Sequence, residues 1–382
     1  MKKMNSFVIA CCGIFAVSIA SAQSVAERID QAVTPLPDDL KADATVYEYD
    51  EDGTRMVLRQ GTNHIECKPR DDRGFTLCFP IGTSARRDLS EAFGAEGLEG
   101  DELTAAMDAA EAAGTVQPTP MGSMLYRLYE EDDRIQLLWV VLLPGAKAED
   151  LGMSLESQRD PSLAGMGRPW MMREGTPGAH LMIPINGTDL SNKGDDVEPL
   201  DTKALAKSDP VKHATLPLPA DLREGASVIS YDDKGNRKVL RAGTNMMECQ
   251  VRDENSGFTR CYHKDLGPES DMRARLSAEG MSVPEVSEAI NAARADGTLG
   301  AAPFGSLAYR LYEEEDRLKL LWVLRLPNAM SADLGMSTES QRDPSLDGEG
   351  LPWMMREGTP SAHLMIPING TELSNQDWDW DN

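Results

Sequence analysis

Two stretches of the chain place the same reactive side chains at the same spacing. Arg159, Asp160, Trp170, Arg173, Glu174, His180 and Asn186 return as Arg342, Asp343, Trp353, Arg356, Glu357, His363 and Asn369. A mixed aromatic and charged set of this kind suits a small polar ligand or a peptide end. Met171, Met172 and Met182 with His180, and Met354, Met355 and Met365 with His363, offer thioethers and an imidazole, which suit a soft ion such as Cu(I). Methionine's commoner use is to fill a core. His180 with Asp160 and Ser162, or His363 with Asp343, would be a hydrolase set, but no G-x-S-x-G nucleophile turn accompanies it. The plainest alternative is a histidine that bonds a nearby carbonyl or Asp160 and fixes a turn. These residues leave catalysis open and imply no cofactor.

The reason to look here is a comparison within the chain. Residues 169–188 and 352–371 share nineteen of twenty positions, the exception being Gly178 against Ser361. Residues 157–163 and 340–346 are identical. Residues 98–113 against 281–296 keep only five of sixteen. A core tolerates swaps that preserve shape, so strict retention points to contacts that depend on side-chain identity. His180 and His363 are the only histidines the copies share.

The elements that must hold these residues repeat as well. The sequence predicts module 1 over 33–192, a linker over 193–215 rich in Lys, Asp and Pro, module 2 over 216–375, and an acidic tail with two tryptophans over 376–382. Each module opens with alternating strand patterns around Asp52-Gly53 or Lys234-Gly235 and a Gly-Thr-Asn turn. Strands carrying the cysteines follow, then a helix with Leu103, Ala106, Met107 and Ala110 on one face. Its counterpart carries Val286, Ala289, Ile290 and Ala293 behind a Ser282/Glu285 capping box. In 179–185, Leu181, Ile183 and Ile185 share one strand face while His180, Met182 and Pro184 share the other, and Pro184 marks an edge or a strand end. Leu138, Val140 and Leu142 make the second face of their strand apolar, which predicts a cover there, the other module being one candidate. The expected fold is α+β: two tandem homologous modules, each a mostly antiparallel sheet packed with one or two helices. Asp50-x-Asp52-Gly53 hints at a calcium loop, but a hairpin turn explains it equally well.

The ends and composition set the setting. Lys2 and Lys3, an apolar run from Phe7 to Ile19 and Ala20-Ser21-Ala22 predict a signal peptide cleaved after Ala22. No later stretch has the run of about 18 apolar residues that a membrane span needs. The formal charge of −25 falls to about −27 without Lys2 and Lys3, which argues against nucleic acid and anionic membrane surfaces as partners. The expected partner is a small polar ligand or an envelope protein, with the modules packed on each other. Four cysteines remain after the leader. The repeat selects the pairs Cys67–Cys78 and Cys249–Cys261, whose spacing does not match the short hooks of zinc sites. A periplasmic or secreted location follows.

The stretches "LRQGTNHIECKPRDDRGFTLCF" and "GTPGAHLMIPI" resemble a group of exported bacterial proteins of uncharacterised function. In that group a Gly-Thr-Asn turn precedes a cysteine pair and a Gly-Thr-Pro-x-Ala-His-x-Met segment lies near the end. The resemblance implies export and a bacterial source, and it transfers no activity, cofactor or catalytic residue. The tandem duplication departs from the single-module layout of the group.

Overall fold

The computed structural model of the protein describes residues 23–374, apart from 72, 131–133, 194–196, 199, 254–257, 314–318 and 347. The leader and the acidic tail lie outside the described residues.

Each module is one eight-stranded sheet with helices. In module 1 the strands are β1 Thr45–Tyr49, β2 Arg55–Arg59, β3 Ile65–Lys68, β4 Phe75–Pro80, β5 Met124–Tyr129, β6 Leu137–Leu142, β7 Trp170–Met172 and β8 His180–Pro184. In module 2 they are β9 Ser227–Tyr231, β10 Arg237–Arg241, β11 Met247–Asp253, β12 Phe258–His263, β13 Leu307–Tyr312, β14 Leu320–Arg325, β15 Trp353–Met355 and β16 His363–Pro367. The first sheet runs β2-β1-β3-β4-β5-β6-β8-β7 and the second repeats that order. Only β1/β3 and β9/β11 pair in parallel. The α+β duplication expected from the sequence is therefore present.

The hairpin turns explain themselves locally. The Asp50 carboxylate accepts the Asp52 and Thr54 N–H groups, and Asp232 does the same for Lys234 and Asn236. Both carboxylates are thus spent on the turn, and no cluster of acidic, histidine or cysteine ligands exists among the described residues. The Gly-Thr-Asn turns are structural too. A Cβ on Gly61 would lie 2.3 Å from the Asp43 carbonyl oxygen. The Asn63 amide meanwhile donates to Leu40 O and accepts from Ile65 N–H, as Asn245 does with Leu222 and Met247.

Cys67 faces Cys78 directly across β3/β4, and Cys249 faces Cys261 across β11/β12. Both pairs are disulfides, fully buried on the core side of the sheet. Replacing Cys67 and Cys78 together with alanine should remove roughly 3 kcal/mol of stability by releasing a loop of this length in the unfolded chain. Urea unfolding of the variant, beside the intact protein, measures it.

Alternation gives each sheet two faces. The inner face carries Tyr126, Trp139, Val141, Leu181, Ile183 and Met171 in module 1, and it belongs to one apolar core that continues into module 2. The outer face carries Leu138, Val140, Trp170 and Met182, a separate cluster. The apolar second face of β6 is therefore covered by its own module's Trp170 and Met182. It is the inner face that meets the other module. β7 is the sheet edge, and Pro184 closes β8 as a strand end.

The stretch 193–215, read as a linker, holds helices Thr202–Ser208 and Pro210–Ala214. Asp201 and Asp209 cap them, accepting the Ala204 and Lys212 N–H groups. The second helix matches Val25–Val33 at the start of module 1: the Cys78 sulfur lies 3.2 Å from Ala32 O and the Cys261 sulfur 3.2 Å from Ala214 O. Each repeat thus begins about one helix earlier than its sequence match suggests. The pattern hid this because polar groups do much of the anchoring. Glu313, fully buried, accepts from Thr202 Oγ1 at 3.1 Å, meets His213 Nε2 at 2.6 Å and accepts from Arg252 Nε at 2.6 Å.

The modules meet across a pseudo-twofold axis on which contacts come in reciprocal pairs. Tyr126 Oη donates to Gly335 O at 2.6 Å and Tyr309 Oη to Gly152 O at 2.5 Å. Ser154 Oγ donates to Asp221, and Ser337 Oγ to Asp39, both at 2.8 Å. Asn186 Nδ2 donates to Asn369 O and Asn369 Nδ2 to Asn186 O, both at 3.3 Å. Gly152 and Gly335 end short helices with φ of +72°, a left-handed cap that leaves each carbonyl free for the opposing tyrosine.

Candidate functional site

The near-identical segments hold three separate features. The first is the module interface. Asn186 and Asn369 are buried there, each amide also donating to its own module, at Gly167 O and Gly350 O. The second is capping. Glu174 accepts the Ala148 N–H, and Glu357 accepts the Ser331 N–H and Oγ–H, so both carboxylates start the short helices. Hydrogen bonding to the Ser331 side chain, then to its backbone, holds the Glu357 carboxyl below its usual range. Trp170 and Trp353 are buried in the outer-face clusters rather than lining a pocket, and their indole nitrogens have no partner among the described residues. These assignments account for much of the identity between the copies, since a residue on a pseudo-twofold interface must satisfy its counterpart.

The third feature is the pair of imidazoles. His180 Nδ1 lies 2.7 Å from Gly178 O, and His363 Nδ1 2.7 Å from Ser361 O. A carbonyl only accepts, so Nδ1 carries the proton and Nε2 is left as the acceptor. Burial, more than anything else, pulls both imidazoles below their ordinary pKa, His363 to about 4. The Gly178 and Ser361 carbonyls oppose this, while Arg127, Arg173 and Arg159 around His180, and Arg310, Arg356 and Arg325 around His363, add to it. Both rings are therefore neutral at pH 7.

The arginines are the feature that sequence reasoning undervalued. Arg127 on β5 is half-buried and has no hydrogen-bond or ion-pair partner among the described residues; burial, then Arg159 and Arg73, lowers its pKa. Arg310, its counterpart on β13, bonds only the neutral hydroxyl of Tyr312 among the described residues, at 3.2 Å. Arg173 and Arg356 take φ of 56° and 55°, a left-handed conformation that glycine or asparagine enters more easily. Keeping arginine at that position in both copies favours a role for the side chain. Gly178 helps hold it, because a Cβ there would lie 3.1 Å from the Arg173 guanidinium carbon. Ser361 departs from this, and its hydroxyl lies 3.2 Å from Asn291 Oδ1 on helix Val283–Ala295. The clue available in the sequence was Arg127/Arg310 within the shared "YRLY" of two otherwise apolar strands.

The remaining predicted residues fall nearby without forming a catalytic set. Asp160 accepts Ser162 N–H and Oγ–H, at 2.9 and 2.8 Å, and Asp343 accepts Ser345 N–H. These bonds lower both carboxyls and cap a turn of helix. The imidazole bonds a carbonyl and not Asp160, so serine, aspartate and histidine are not joined into a relay. Arg159, Asp160 and Asn186 do border one cavity of about 40 Å³, which is room for a water-sized guest. The soft-metal set divides: Met171 and Met354 face the inner core, while Met172, Met182, Met355 and Met365 share the outer face with the histidines. Guanidiniums beside each imidazole also oppose a cation there.

No protein-family model, no curated protein and no solved structure matches the chain.

The neutral histidines give stability a pH dependence. Their folded pKa values lie below the unfolded value near 6.5, so the unfolded chain binds more protons between the two. That contribution is full above pH 6.5 and is lost as pH falls toward the folded value, about 4 for His363. Urea unfolding at pH 7.5 and 4.5 should show a loss on the order of 3 kcal/mol from His363, which His363→Gln removes.

Proposed function

We propose that the protein is an exported, two-module binding protein without catalytic activity, taking a small polar ligand, or a polar group of an envelope partner, on the basic outer face of each module. The observation carrying this reading is the Arg127 guanidinium, which no carboxylate among the described residues pairs, set beside Arg159, Arg173 and the Nε2 acceptor of His180 in a chain of charge −25. A half-buried cation without a carboxylate is costly unless something outside the chain satisfies it. Two buried disulfides support an extracytoplasmic location, and the leader pattern of residues 1–22 supports export. No helix among the described residues is long and apolar enough to cross a membrane.

A thermal-shift screen of small polar metabolites tests the proposal. A ligand bound only to the native state raises Tm, by about 2.7 kcal/mol worth of stability at a hundred times Kd. The expected result is a rise that Arg127→Leu with Arg310→Leu abolishes. A rise that survives both substitutions, or no rise with any compound, refutes it.

A further inference from the structure

The copies diverge where β12 faces helix Gly267–Ala278. Leu77 on β4 pairs with Arg127, and the same place on β12, opposite Arg310, is Arg260. Arg260 Nε donates to Gln250 Oε1 at 2.7 Å and Nη2 to Ser270 Oγ at 2.9 Å, both neutral acceptors. Among the described residues no carboxylate pairs with it. Burial pulls its pKa below the ordinary arginine value, and neighbouring Arg273 and Arg310 pull the same way against Tyr262. Nearby charge among the described residues does not compensate. Glu269, held down to about pKa 2 by surrounding guanidiniums that overcome its burial, is shared by Arg273, Arg294 and Arg325.

Arg260 and Arg273 open on a cleft of about 570 Å³, walled by Phe258, Val251, Val286 and Tyr231. That volume is in the range of small-molecule sites. Asp232, at the rim, is held in its own turn by Lys234 and Asn236, while Asp233 stands exposed there and disfavours polyanions.

We propose that this cleft of module 2 binds a small organic oxyanion of low charge, with its anionic end on Arg260 and an aromatic or branched apolar body against Phe258 and Val286. The proposal rests on the reading that the outer face is a ligand surface, and adds that module 2 takes one ligand per chain through a residue module 1 lacks. Arginine offers a carboxylate or phosphate two parallel N–H donors, and the apolar wall supplies the remaining affinity.

Calorimetric titration of the full chain with benzoate and phenyl phosphate, beside acetate and inorganic phosphate, tests it. The expected result is one aromatic anion per chain, at least tenfold weaker acetate, and at least tenfold weaker benzoate in Arg260→Leu. That substitution installs the residue module 1 already carries and should leave Tm unchanged or raise it. Phe258→Ala is the second variant and should weaken benzoate while leaving acetate as it is. Benzoate affinity unchanged in Arg260→Leu overturns the assignment, as does failure of all four probes to bind. Two ligands per chain, lost on Arg127→Leu with Arg310→Leu, also overturns it but upholds the broader binding function. The metabolite screen decides that function separately.

Discussion

Gly187→Ala should lower stability by roughly 4 kcal/mol and Tm by about 5 °C in calorimetry. Gly187 sits at φ +83° at the module interface, where an added Cβ would lie 1.8 Å from Gly348 O; at its counterpart Gly370, the Cβ would lie 2.1 Å from Gly165 O. Those neighbours are backbone, so relief requires the modules to move apart. Alanine in a left-handed conformation costs only about 1 kcal/mol by itself. Gly97→Ala separates the two effects, because Gly97 has φ +91° and nothing within 4 Å of the added carbon. Its loss should stay near 1 kcal/mol. A Gly187→Ala protein no less stable than Gly97→Ala would mean that the interface is not packed as described.

The second large effect concerns one position in two settings. Glu313→Ala should cost about 3–5 kcal/mol, since it removes the buried acceptor that Thr202, His213 and Arg252 share. Helices Thr202–Ser208 and Pro210–Ala214 lose their polar anchor with it, so limited proteolysis should cut between 200 and 215 before any other site. Glu130→Ala, at the matching place in module 1, breaks the 2.8 Å bridge to Arg70, in which both side chains are about 40% exposed. That loss should be below about 1 kcal/mol. Equal losses in the two variants would contradict the difference in burial.

Much of the fold was legible because it rests on local and pairwise signals. The cysteine spacing, the alternation in 179–185 and the Ser282/Glu285 capping box each depend on residues that are neighbours in sequence or direct partners across a hairpin. The helices Ser84–Ala95 and Gly267–Ala278 were not, since their contacts to the sheet are ionic: Arg87 donates to Glu66, Arg325 to Glu269 and Arg237 to Asp271. Charged residues facing a sheet read as solvent-exposed in a pattern of polarity. The candidate site was legible in location but not in composition. Trp170, Glu174 and Asn186 were singled out by identity between copies, yet packing, capping and the module interface account for them. Arg127 and Arg260 were missed because a lone arginine in a strand announces itself only when the structure shows that no carboxylate among the described residues meets it.

The near-symmetry of the join between modules has a consequence for assembly. Module 1 of one chain presents to module 2 of a second chain the surface it presents to its own, so only tethering favours the internal partner. A short tether acts like a partner concentration in the millimolar range, and refolding at comparable protein concentration lets chains trade halves into interlocked dimers. An unsymmetrical bridge, Arg168 to Glu372 at 2.9 Å, then selects who pairs with whom. Two copies of module 2 would set Leu351 against that glutamate, so swapped assemblies keep one half of each kind at every junction.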